Sequence, residues 1–193
     1  MLLRIVKEIN ECLSKDCYLA ALFMALTLPD ICGKAEFPQK ASGDRSVLWY
    51  EQHVGRFERE QSKWGEDYAD TPYLSAELYY ALRCSVLHSG DVDVNGNAMQ
   101  EEQNKLAKFT LSIPKPNKYN AYGGATLITY DQQGNVDSRE LEVDIPYVCR
   151  IISRAAEKYY KENAEKFIFF KYNIDDKRVS HFRHQKQRAE EEQ

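Results

Sequence analysis

The chain has no Cys-x-x-Cys pair, no His-x-x-x-His spacing and no secretory signal pattern at its start. Its five cysteines, Cys12, Cys17, Cys32, Cys84 and Cys149, are scattered and odd in number. A disulfide framework and an ordinary zinc site are thereby disfavoured, and reduced thiols in a cytoplasm are expected. His181 and His184 form a pair without cysteine or carboxylate support, so neither a metal nor a cofactor is expected. Positive charge is also lacking. With 26 Lys and Arg against 30 Asp and Glu, the formal charge is −4. That argues against a protein that holds nucleic acid by general electropositivity, while leaving room for a local basic cleft. The longest apolar run, residues 18–28, stops at Pro29 and is too short to span a bilayer. There is no glycine-rich phosphate loop, no internal repeat and no Ser-His-Asp set. What remains is a 193-residue chain, 43% hydrophobic, that can bury one substantial core, so a single domain over residues 1–193 is expected.

The periodicity is mainly helical. Residues 2–13 read as a first helix and residues 16–28 as a second, with Ser14 or Asp16 as its cap. Leu19, Ala20, Leu22, Phe23 and Leu26 make that second helix apolar on most faces, as a central core helix should be. The run Pro29-Asp30-Ile31-Cys32-Gly33 is expected to end it. Asp44 then caps a helix over residues 45–57, with Val47, Leu48, Tyr50, Val54 and Phe57 inward and Trp49 in a packing role. Residues 108–114, 125–130 and 139–147 alternate apolar and polar side chains. They predict a small antiparallel β-hairpin insertion over about residues 108–145, closed at residues 131–135. Pro146 opens a final helix over residues 147–170, with Val148, Ile151, Ile152, Ala155, Ala156 and Tyr159 inward. Residues 176–193 read as a solvated tail with a basic stretch, which can also contact RNA.

The most informative stretch is YLSAELYYALRCSVLHSGD, residues 73–91. Leu74, Leu78, Leu82 and Val86 fall at four-residue steps and draw an apolar stripe, widened by Ala81 and Leu87. Thr71 and Pro72 supply a cap and a first-turn proline, and Ser89-Gly90 a stop. Arg83 and His88 lie off the stripe. Five residues of α-helix at ~100° and ~1.5 Å each place them about 140° and ~7.5 Å apart. One such helix does not close a pocket, but two copies about a two-fold axis would line one cleft with both pairs. Tyr80, Cys84 and Ser85 share the polar side with His88. Asp30 either orients Arg83 or His88, or caps the turn that follows it.

An arginine and a histidine so placed suit attack of an RNA 2′-hydroxyl on its adjacent phosphate. Histidine titrates near neutrality and can move the proton, while a guanidinium holds the phosphate by two parallel hydrogen bonds. The nucleophile is intramolecular, so no metal is required, and DNA lacks it. The bland alternative is an interface arginine and a histidine that favours the negative end of its helix. Arg178 and His184 also fit a loose arginine-to-histidine spacing, but in a polar tail. Cys84 and His88 nominally form a thiolate pair, with nothing to orient the histidine. Lys115, Lys118, Tyr119 and Tyr122 lie in a loop that can touch nucleic acid or simply be surface.

LRCSVLHSG resembles the signature of the HEPN superfamily, an arginine, four to six residues and a histidine near the end of a core helix. KDCYLAALFMALTLPDICGKAEF, residues 15–37, resembles the second helix of HEPN-like bacterial proteins. Together they cover under half of the chain. The resemblance implies an up-and-down helical bundle and a dimeric, metal-independent ribonuclease of toxin, defence or RNA-processing systems. Arg83 and His88 would be catalytic, with Tyr80, Cys84, Ser85 and Asp30 shaping the pocket. RNA, a second copy and an antitoxin or neighbouring protein are the implied partners, and no membrane is. Other members are catalytically silent modules that bind a nucleotide, RNA or protein, which is the alternative reading. A purely structural dimerisation domain is a third. The family usually carries asparagine, aspartate or histidine after the arginine; here that residue is Cys84, a weak hydrogen-bond partner.

Overall fold

A computed structural model describes residues 1–57, 74–89, 106–114, 126–134 and 136–172. The first helix, α1 (Leu2–Ser14), buries Leu2, Val6 and Ile9 and carries Arg4–Glu8 and Lys7–Glu11 ion pairs outside. The chain then turns through Asp16, whose φ of 57° is left-handed, a conformation that aspartate tolerates. Asp16 is therefore part of the connector, and α2 (Tyr18–Glu36) starts after it with Cys17 at the cap position.

α2 is the central helix, packed against α1, α3 (Ser42–His53) and α5 (Ile145–Glu162). Ala21, Leu22, Ala25, Leu26, Leu28, Cys32 and Ala35 are buried along it, whereas Leu19, Ala20 and Phe23 lie on its exposed side. The expected stop at residues 29–33 does not occur. Pro29 lies inside the helix, and the chain stays helical to Glu36. A proline there removes a backbone donor and crowds the preceding turn. The carbonyl it leaves without a donor is that of Ala25, and the carbonyls on either side of it take side-chain donors: Thr27 Oγ1 donates to Met24 O at 2.7 Å, and Tyr79 Oη donates to Leu26 O at 2.9 Å. The 19-residue helix is the one described helix long and apolar enough to cross a membrane. The length argument drawn from Pro29 thus fails, yet half of this apolar stretch is buried within the fold.

Gly33, expected as a helix stop, is a contact point instead. A Cβ at Gly33 would collide with the Arg45 carbonyl oxygen and lie 2.8 Å from its carbon, so glycine lets α3 cross α2 closely. α3 begins at Ser42, earlier than expected, with no side-chain cap and Asp44 in its first turn. It ends at His53 and is followed by a 3₁₀ turn, Gly55–Phe57. Tyr50 and Val54 are buried as expected, and Trp49 packs in the core. Phe57, expected inward, is 65% exposed.

α4 (Ala76–Cys84) is capped by Ser75, whose hydroxyl accepts from the Leu78 N–H at 3.2 Å, so Thr71 is not its cap. From Ser85 to Ser89 the winding widens into a π-helical turn. The Leu74, Leu78, Leu82, Val86 stripe faces the core as expected.

The fold class differs from the expected bundle with a small antiparallel hairpin. The fold is mixed, five helices with a mixed sheet. Three of its strands are described, β1 (Leu106–Ser112), β2 (Thr126–Tyr130) and β3 (Val136–Asp144), in the order β1-β3-β2. β2 and β3 do form an antiparallel hairpin, turning through Gly134 at φ 84°. β1, however, runs parallel to β3, pairing Phe109 with Leu141 and Leu111 with Val143. Alternation reports a strand but not its partner or direction, and a parallel pair needs a crossover that local pattern does not reveal. Phe109, Leu141 and Val143 join the helical core. The sheet is thus part of the fold rather than an appendage.

β3 leads directly into α5. Asp144 accepts the Tyr147 N–H at 2.8 Å and Pro146 occupies the first turn, an N-terminal signal that sets the start at Ile145. Val148, Ile152, Ala156 and Tyr159 are buried, with Ile151 and Ala155 half-buried. The helix ends at Glu162, short of the expected residue 170, and a 3₁₀ turn, Ala164–Phe167, follows.

Candidate functional site

The polar side of α4 meets α2 just past Pro29 and the first turn of α3. Asp30 is the centre of that meeting. Its Oδ1 accepts from Arg45 Nε at 2.8 Å and from Ser42 Oγ at 2.9 Å, and its Oδ2 lies 3.9 Å from Arg83 Nη2. The side chains of Arg45, Asp30 and Arg83 are only 18%, 22% and 13% exposed. Two guanidiniums therefore share one carboxylate, and Arg45 takes the closer, hydrogen-bonded geometry. Arg83 is left underused: its Nε is buried and has no hydrogen-bond partner among the described residues. A guanidinium with spare buried donors favours an anionic oxygen that would fill them.

Tyr80 lies beside Arg83, with the guanidinium carbon 5.8 Å from the ring centroid. Gly43 of α3 admits the phenol: a Cβ there would sit 2.8 Å from Tyr80 Oη. Burial first, then the neighbouring Cys84 thiol, holds the Tyr80 hydroxyl above its usual range. It is accordingly a neutral donor at physiological pH. Beneath it, Tyr79 is fully buried, stacked on Tyr50 at 4.3 Å between centroids. Since Tyr79 Oη donates to Leu26 O, the 3.0 Å contact with Ser46 Oγ has serine as donor. Burial drives the Tyr79 phenol far up, against the smaller opposing pull of Ser46 and Arg83. This tyrosine joins α4 to both α2 and α3, and so fixes where Arg83 stands.

Of the residues the sequence singled out, Asp30, Tyr80, Arg83 and Cys84 come together, and Ser85 is buried in the turn that follows. Asp30 meets Arg83 as one of the two expected roles required, while also fastening the start of α3. The backbone of His88 lies in the π-helical turn; its side chain is outside the described part, as are Gly90 and Asp91. Thr71 and Pro72, the loop with Lys115, Lys118, Tyr119 and Tyr122, and the tail with Arg178, His181 and His184 also lie outside the described residues.

The π-helical turn changes the geometry of the motif. In an α-helix residues five apart are out of phase, whereas π-helical hydrogen bonding joins residues five apart and such turns recur at functional sites. The motif therefore crosses from the α-helical turn that holds Arg83 into the π-helical turn that holds the backbone of His88.

Arg45, Ser42, Gly43 and Tyr79 were not anticipated as site residues. Only Tyr79 left a signal, since Ala76, Tyr79, Leu82 and Val86 form a second stripe at helical spacing. The cysteines offer little chemistry. All five are free, and burial lifts Cys32 well above the usual thiol range and Cys149 to about 12. No three His, Cys, Asp or Glu residues cluster as metal ligands among the described residues. Compared with family models, with curated proteins and with solved structures, the chain finds no match.

Proposed function

We propose that this chain is a cytoplasmic endoribonuclease of the kind its Arg-x4-His motif resembles, cutting RNA by 2′-hydroxyl attack on the adjacent phosphate. The observation that carries the reading is the largely desolvated, incompletely paired Arg83 guanidinium, five residues before His88 in the chain. In the reaction the 2′-oxygen bonds to phosphorus and the bond to the 5′-oxygen breaks. His88 acts as the general base or acid: it takes the 2′-hydroxyl proton while water protonates the departing 5′-oxygen, or it protonates that oxygen while water takes the 2′-hydroxyl proton, and Arg83 neutralises charge on the non-bridging oxygens. The products are a 2′,3′-cyclic phosphate and a 5′-hydroxyl. Asp30 is a positioning residue: it restrains Arg83 from one side while its main hydrogen bonds go to Arg45 and Ser42. Tyr80, Cys84 and Ser85 shape the surroundings. A homodimer would bring two such pairs together, and an antitoxin or neighbouring protein would control them.

The test is incubation of the purified protein with mixed cellular RNA in EDTA. Cleavage leaving cyclic phosphate ends, lost in His88→Ala and Arg83→Ala, is the expected result. A second reading is favoured by Cys84, which replaces the polar residue usual after the arginine: a silent module that binds a nucleotide, RNA or protein, with Arg83 as a phosphate contact only. In that case no RNA is cut, and His88→Ala binds as the parent does.

A further inference from the structure

A cleft of about 550 Å³ lies between the end of α3 and the outer face of α5. On the α3 side it is lined by Arg56 and Phe57, with the Arg56 guanidinium carbon 4.5 Å from the Phe57 ring centroid. On the α5 side stand Arg154 and Lys158, and Tyr159 forms part of the lining. Glu162 is the one carboxylate among the lining residues. His53 also lines it, but its Nε2 is turned inward to Glu36 Oε2 at 2.9 Å. Arg56, Arg154 and Lys158 are exposed, and among the described residues none of them forms an ion pair.

Two features point to a ligand. Arg150, Arg154 and Lys158 fall at four-residue steps, an exposed row of three positive charges spaced ~6 Å apart along the helix. Like charges at that spacing weaken a helix. A row of them on a chain of net charge −4 is a local departure from the general charge. Phe57 is a large aromatic left 65% exposed beside this row. A row of cations that tracks a backbone, next to an aromatic ring and a guanidinium plane, is how single-stranded nucleic acid is held without sequence preference.

We infer that this cleft is a second, non-catalytic RNA-binding site that holds a single strand by its phosphates along Arg154 and Lys158 and stacks a base at Phe57, with Arg150, one turn before the lining residues, extending the row. The choice of RNA rests on the ribonuclease reading above. The groove itself rests only on its own residues. It would deliver long strands to the protein and leave the cutting of very short ones untouched.

The experiment is fluorescence anisotropy with a labelled 2′-O-methyl 12-mer, which binds but offers no free 2′-hydroxyl. The parent is compared with the surface variants Arg154→Glu/Lys158→Glu and Phe57→Ala. The double variant is expected to bind at least tenfold more weakly, with the slope of log affinity against log salt reduced by about 1.4 for two lost phosphate contacts. Phe57→Ala is expected to lose about fivefold or more, as removal of a stacking platform does. Affinity and salt slope equal to the parent in the double variant would overturn the groove. A mononucleotide that binds as tightly as the 12-mer would overturn the strand and leave a nucleotide site. A parent that binds the 12-mer through these residues but leaves cellular RNA intact would sink the ribonuclease reading and not this one.

Discussion

Replacing Gly33 by alanine separates local from tertiary control in this fold. In an isolated helix the change is favourable, since alanine exceeds glycine by ~1 kcal/mol at an interior position. Here α3 crosses at that point, and the new Cβ would run into the Arg45 carbonyl, with the carbonyl carbon at 2.8 Å. Ordinary carbon contacts lie at about 3.5–4.0 Å, so the two helices must part by something on the order of 1 Å. Neither atom is the movable end of a side chain; both belong to helical backbone. Overpacking of a well-filled interface costs about 1–3 kcal/mol, and from the upper part of that range the propensity gain of ~1 must be subtracted. The net loss should be about 1–2 kcal/mol, or roughly 2–8 °C in Tm for a chain of this size. Calorimetry and urea unfolding measure it directly. Gly55→Ala is the control, because its Cβ first meets Glu51 Oε2, the far end of a side chain, and should change Tm little. A Gly33→Ala protein as stable as the parent or more so would refute the argument that Gly33 exists for the crossing. The displaced α3 also carries Arg45 away from Asp30, so RNA cleavage should fall in the same variant.

Tyr79→Phe leaves the Leu26 carbonyl and the Ser46 hydroxyl without their shared partner and should cost about 1–3 kcal/mol; Ser46→Ala added to it should cost little more, read by urea unfolding as a double-mutant cycle. Asp30→Asn takes the charge from between two largely buried guanidiniums and should destabilise by about 1–3 kcal/mol, the partial exposure holding it below a fully buried pair. Burial raises the Asp144 carboxyl above its usual range, against the opposing pull of the Tyr147 N–H. The folded state therefore holds that proton more tightly than the unfolded one. This stabilisation is complete below the unfolded pKa of ~3.9 and lost as pH rises through the higher folded value. Asp144→Asn keeps a cap and cannot ionise, so its stability relative to the parent should increase as pH rises above about 4 in thermal scans; an unchanged difference would contradict this. Arg83→Lys retains charge but not the bidentate fork, and should lower the cleavage rate by at least about tenfold without unfolding the protein.

Much of the fold was legible because it is local. The spacing of Leu2, Val6 and Ile9, or of Leu74, Leu78, Leu82 and Val86, is a helix face whatever surrounds it. Asp144 with Pro146 marks a helix start through groups only a few residues apart. The misreadings share one cause. Pro29 and Gly33 are helix breakers by local rule, and both are carried inside α2 by groups far along the chain: Tyr79 donates into the proline turn, and α3 needs the room at glycine. Phe57 fits an inward stripe only if α3 continues past His53, and it does not.

The candidate site divides in the same way. Arg83, five residues before His88, is a sequence fact, and the chemistry it suggests follows from residue type and spacing alone. That Arg83 is largely buried and that Arg45 rather than Arg83 holds Asp30 closely were decided by packing among α2, α3 and α4. The strands likewise announce themselves by alternation, but alternation has no memory of order. A strand's period of two selects the face that it buries, whereas the partner it pairs with depends on chain closure over tens of residues. The sequence by itself therefore determined the elements and the chemistry available to them. Only the tertiary structure decided that β3 lies between β1 and β2, and that Asp30, Arg45 and Arg83 share one place, because contacts between distant residues leave no periodic trace along the chain.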